Sequence, residues 1–160
     1  MFATHGLVSG ELDGLTQPAL ALSAPEVTGD GGDGLLTMEE VLGLKLDADW
    51  VVLSACNTAS GDGEGGEALS GLGRAFFFAG ARTLLASNWP VETVSARLLT
   101  TRLFELQAAK PGVTRAEALR ATMLELMDSV SPQGGVGAAG FTYAHPMFWA
   151  PFSLVGDGDG

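Results

Sequence analysis

The chain holds one cysteine, Cys56, and two histidines, His5 and His145. A lone cysteine with a histidine elsewhere in the chain is a pattern that can carry nucleophilic chemistry. A free thiol, with a pKa of about 8.5, is mostly protonated at neutral pH. A nearby imidazole can take that proton, and the resulting thiolate–imidazolium pair attacks carbonyl carbon. The same imidazole can then protonate a leaving amine. The carbonyl oxygen turns negative in the process and needs hydrogen-bond donors. The backbone N–H groups of Cys56 and Gly6 are candidates, since glycine lets a backbone come close to a substrate. Each feature also has a plainer reading. A single cysteine is more often a small buried residue, and Gly6 reads equally well as a turn glycine. His145 competes with His5, but it precedes Pro146 among Phe148 and Trp149 and reads as a loop residue packing that segment.

The elements that would position these residues follow from pattern. Residues 19–24 alternate, end at Pro25 and read as a short strand. Residues 28–34 are a Gly/Asp loop. Thr37 and Glu40 have the spacing of a capping box, which opens a short helix to Gly43. Residues 50–53 form an apolar, β-branched run suited to a strand buried on both faces, as in a parallel sheet. That run leads directly into Cys56. Leu69, Leu72, Phe76 and Ala79 lie on one helical face that Gly80 ends. Residues 82–86 read as a second buried strand. Ala96, Leu99, Leu103 and Leu106 mark a further helix, broken by Pro111-Gly112. Thr114 and Glu117 cap the next, with Ala116, Leu119, Met123 and Leu126 as its apolar face. Residues 131–140 read as a Gly-rich loop, and residues 152–155 as a last strand. Strands alternating with helices imply an α/β fold with a mainly parallel sheet flanked by helices. In such sheets ligands bind beyond the carboxyl ends of the strands. His5 and Cys56 each end a proposed strand. Only Met1 precedes the strand-like Phe2-Ala3-Thr4-His5, so the expectation is a domain lacking its N-terminal part.

Composition narrows the partners. With 8 basic against 19 acidic residues the formal charge is −11, and mean hydropathy is +0.26. So acidic a chain is repelled by nucleic-acid phosphates and anionic lipid, so neither is an expected partner. No apolar run reaches the ~18 residues a membrane span needs, and residues 1–10 lack the features of a secretory signal. One cysteine cannot form an internal disulfide or a thiolate metal site, which suits a reducing, cytoplasmic setting. Residues 61–66 are Gly-rich but lack the Gly-Lys-Ser/Thr ending of a phosphate loop. Asp30, Asp33, Asp62 and Glu64 do not have EF-hand spacing and read as solvated loop charge. Asp62 or Glu64 could favour a basic substrate residue. Phe76-Phe77-Phe78 reads as helical core on two sides.

The ordered motifs resemble one family. Ala3-Thr4-His5-Gly6, residues 34–42 and Val52-Leu53-Ser54-Ala55-Cys56-Asn57-Thr58 come first. Residues 71–82, Ser87-Asn88-Trp89-Pro90-Val91 and residues 145–152 follow. Together these are similar to the CHAT domain, a caspase-like branch often found beside TPR repeats, over nearly the whole chain. The resemblance implies a caspase-like three-layer sandwich spanning residues 1–156 as the C-terminal portion of the domain, with 157–160 an acidic Gly-rich tail. It implies a cysteine endopeptidase with His5 as general acid/base, Cys56 as nucleophile and no metal or cofactor. Ser54 falls where related caspases line the P1 pocket, and Ser87, Asn88 and Trp89 fall where the substrate groove is bordered. The implied partners are a protein or peptide substrate and a TPR-containing region or regulatory protein. A catalytically silent signalling module of the same fold, or a fragment of a longer product, remain the alternatives.

Overall fold

The computed structural model describes residues 1–29, 31–54, 64–130 and 142–157, without the side chains of 64–70. Its elements run β1 (Gly6–Leu7), β2 (Ala19–Ala21), α1 (Pro25–Thr28), β3 (Leu35–Thr37), α2 (Met38–Gly43), β4 (Val51–Leu53) and α3 (Glu64–Phe78). Then follow β5 (Thr83–Ser87), α4 (Thr93–Ala109), α5 (Arg115–Met127), a 3-10 turn (Pro146–Phe148) and β6 (Phe152–Gly156). The chain divides into two compact units, Met1–Pro90 with Ser153–Gly156, and Val91–Phe152 with Asp157–Gly160.

In the first unit, one sheet has the order β4-β5-β6. The apolar run Val51-Val52-Leu53 forms β4 and is buried throughout, as expected of a strand covered on both faces. It pairs in parallel with β5, Val51 opposite Leu84 and Leu53 opposite Ala86. Side chains alternate along a strand, so these four share one face. There they form a core with Leu72, Ala75, Phe76 and Ala79, and with Leu20 and Val41. Leu72, Phe76 and Ala79 thus occupy the stripe that their spacing indicates. Phe78, at 80% exposure, shows that the Phe triplet is only partly core. A parallel bridge between Phe2 and Leu53 extends the ladder beyond β4.

The other sheet, β1-β2-β3, is antiparallel throughout. Periodicity gives no warning of it, because β1 and β3 are two and three residues long, too short to show alternation. Gly6 therefore opens a strand rather than a turn. β2 stops at Ala21, and Pro25 begins the four-residue α1. The α2 capping box is formed: Thr37 Oγ1 accepts the Glu40 N–H, and the Glu40 carboxylate accepts the Thr37 N–H.

The second unit contains the α4–α5 hairpin. Glu92 caps α4, accepting N–H groups of Val94 at 3.0 Å and Ser95 at 2.7 Å. Burial pushes its carboxyl pKa up, but donation from Val94, Ser95 and the Ser95 side chain outweighs this and leaves it below the ordinary carboxylate value. The α5 capping box of Thr114 and Glu117 is also formed. The buried face of α5 is Arg115, Ala118, Leu119, Thr122 and Leu126, whereas Ala116 is exposed. The expected stripe errs because two polar residues are buried. Thr122 is accommodated by donating its hydroxyl to the Ala118 carbonyl at 2.8 Å. Arg102 links the two helices by donating to Glu125 at 2.6 Å.

Gly80, at φ +106°, follows α3, where the Leu46 N–H donates to the Ala79 carbonyl at 2.7 Å. A Cβ at Gly80 would sit 2.1 Å from the Leu46 carbonyl oxygen, whereas one at Gly112 (φ +94°) would meet open space. Gly112→Ala is expected to cost about 1–2 kcal/mol from the left-handed backbone alone. Gly80→Ala is expected to cost at least about 3 kcal/mol more, because backbone must move; urea unfolding of both variants measures the gap. Glu92→Ala is expected to lose about 1 kcal/mol at neutral pH. Because the folded pKa is depressed, that stabilisation is complete above the ordinary value of 4.5 and is lost as pH falls through the lowered one. Urea titrations of both proteins from neutral to acid pH should therefore converge.

Candidate active site

The Phe2 N–H donates to the Val52 carbonyl at 2.7 Å, and the Ser54 N–H donates to the Phe2 carbonyl at 2.9 Å. These two bonds lay the segment before His5 beside the segment leading to Cys56. The bridge pairs Phe2 with Leu53, an offset of 51 residues. The same offset separates His5 from Cys56 in the sequence. In the sequence, each candidate thus comes three residues after a bridge partner. Cys56 itself lies outside the described residues, as do Asp30, Asp62 and the side chain of Glu64.

Past Phe2 the chain leaves β4 and joins the antiparallel sheet. The His5 carbonyl accepts the Ala21 N–H at 2.9 Å, and the Thr4 hydroxyl donates to the Ala21 carbonyl. The side chain of His5 is exposed. Hydrogen-bond parity then fixes the direction of the Gly6 backbone. Leu22 N–H donates to Gly34 O and Met38 N–H to Pro18 O, so even-numbered residues of β2 turn their backbone groups toward β3. Gly6 faces Leu20, an even-numbered residue. The Gly6 N–H therefore points away from β2, on the side of β1 that pairs with no strand among the described residues.

The other candidates divide by environment. Ser54 is half-buried, with its N–H held by Phe2. Ser87 ends β5 and is 1% exposed. Asn88 donates its side-chain amide to Ser153 Oγ on β6 at 2.7 Å, while Trp89 is exposed. Ser87 and Asn88 thus fix the turn that carries Trp89. The roles of Thr4 and Ser153 carry no signal in the sequence, because each depends on a strand pairing between distant segments. His145 accepts the Met147 N–H at Nδ1, 3.2 Å away, as the cap of the 3-10 turn. That is a local structural use, in keeping with its plainer reading.

Among the described residues no helix is long and apolar enough to cross a membrane. Comparison with known proteins gives a consistent result. Tetratricopeptide repeat protein 28 of Mus musculus is 29% identical over 124 residues, 76% of this chain but 4% of that protein. The Homo sapiens protein of the same name is 28% identical over the same length, again 76% of this chain and 4% of its own. The chain thus spans a small fraction of these curated relatives, both named for tetratricopeptide repeats. The CHAT domain matches across residues 1–157, so the chain belongs to the CHAT domain family.

Proposed function

We propose that this CHAT domain is a cysteine endopeptidase with a caspase-like three-layer fold, using Cys56 and His5. The observation that carries the reading is the Phe2–Leu53 bridge, whose offset equals the His5–Cys56 separation. Adjacent strands run ~4.8 Å apart, so segments leaving this bridge begin within side-chain reach of one another. The orientation of the Gly6 N–H supports it as an oxyanion donor beside the Cys56 N–H.

The steps then balance as follows. His5 takes the thiol proton while the Cys56 sulfur adds to the scissile carbonyl carbon. The oxyanion is held by the two N–H groups. The C–N bond breaks, the His5 proton passes to the departing amine, and a thioester remains. Water attacks the thioester with His5 as base, releasing the new carboxylate and the thiol. Ser54 borders the P1 side, and Trp89 offers the substrate an exposed aromatic surface held in place by Ser87 and Asn88. The reaction calls for no metal or cofactor. We place the domain in the cytoplasm, where its single thiol stays reduced, and its partners are a protein or peptide substrate and a tetratricopeptide-repeat region like that of the relatives.

Iodoacetamide alkylation of Cys56 against pH tests the dyad. The native chain is expected to show a thiolate pKa well below about 8.5, rising in His5→Ala. A profile that is identical in both proteins would leave a CHAT-fold interaction module without cleavage chemistry. Cys56→Ala is expected to abolish peptide cleavage while moving the urea midpoint by less than about 1 kcal/mol equivalent. Residual cleavage in that variant would assign the chemistry elsewhere.

A further inference from the structure

We infer that a cavity on the β1-β2-β3 sheet is a binding site for a cationic side chain, arginine or lysine, of the peptide that the domain engages. This rests on the proposed function only for what carries the cation. The cavity has a volume of about 370 Å³ and is walled by Leu12, Leu15 and Leu35, with Asp13, Asp33 and Gln17 among its polar groups. That volume lies at the lower end of the ~300–1,000 Å³ range of small-ligand clefts. Apolar walls with carboxylates suit an extended aliphatic stem ending in a positive charge.

Its place on the sheet links it to the candidate base. Continuing the register, His5, Ala21 and Leu35 form one row across the three strands. Paired residues in a row share a face. Leu20 and Leu36 of the neighbouring row face the core, so Leu35 and His5 lie on the opposite face, the one holding the cavity. Two strand spacings put Leu35 roughly 10 Å from His5. An extended peptide covers that distance in about three residues at ~3.3 Å each.

Charge supplies the complementarity. Residues 1–90 contain twelve acidic and three basic side chains, nine of the eleven net negative charges. One of the three, Arg82, is already engaged by Asp47 at 2.6 Å and Asp49 at 2.7 Å. Asp33 lines the cavity and uses one oxygen to accept the Leu35 N–H at 3.0 Å. Asp13 is exposed on the loop between β1 and β2.

The test is an amide-resolved NMR titration of the full chain carrying Cys56→Ala, so that binding is read without turnover. The probes are an alanine pentapeptide with a central arginine and the same peptide with citrulline, which keeps the shape and loses the charge. The arginine peptide is expected to shift the Leu12, Leu15 and Leu35 amides and to bind several-fold more tightly than the citrulline one. Asp13→Asn is expected to weaken binding roughly three- to fivefold, the size of an exposed ion pair. Glu26→Gln removes an equally exposed charge from α1 and is expected to leave binding unchanged. Equal weakening by both variants, shifts outside the cavity, or no preference for arginine over citrulline would overturn the site. None of these outcomes bears on Cys56 reactivity, so this inference and the dyad fail independently.

Discussion

Two backbone hydrogen bonds anchor the segment that leads to His5: Phe2 N–H to Val52 O, and Ser54 N–H to Phe2 O. Each contributes on the order of 1 kcal/mol, but their consequence is positional. They fix the register of the first residues against β4. The Phe2 ring strengthens the placement by packing on Phe76, with centroids 5.5 Å apart. β4 is a suitable anchor because it is buried on both faces and paired along its length with β5. A one-residue slip at this bridge would turn every following side chain to the other face and break the match between the bridge offset and the His5–Cys56 spacing.

From that anchor the chain passes from a parallel to an antiparallel sheet within a few residues. The change of partner leaves the Gly6 N–H directed away from β2, while the His5 carbonyl is used by β2. One short segment thus bonds to β4 through Phe2 and to β2 through the His5 carbonyl. Nearby, polar side chains do local work: Asn88 ties the end of β5 to Ser153, and Asp33 holds the start of β3. The acidic excess of residues 1–90 gives this unit a one-signed field, which attracts cationic partners and repels polyanions.

How far the site is legible from sequence varies by residue. The β4 run, the α3 stripe and both capping boxes are legible, because each depends on residues within a few positions of one another. β1 and β3 are not, because a strand of two or three residues has no periodicity. The α5 face is misread because Arg115 and Thr122 are buried and Thr122 satisfies its hydroxyl within the helix. The spacing of His5 and Cys56 is visible as a number, but only the tertiary structure shows that a bridge joins Phe2 and Leu53 with the same offset of 51 residues.

The amino-acid sequence by itself determined the acidic charge, the single cysteine, the capped helices and the buried apolar strand. These follow from composition and from interactions between near neighbours in the chain. Tertiary structure alone decided the pairing of Phe2 with β4, the direction of the Gly6 N–H away from β2, the fastening of Asn88 to Ser153 and the cavity on the β1-β2-β3 sheet. Each joins segments that lie far apart in the chain, or depends on which edge of a strand is already occupied. Local patterning cannot specify that, because many registers satisfy the same short strands until the core selects one.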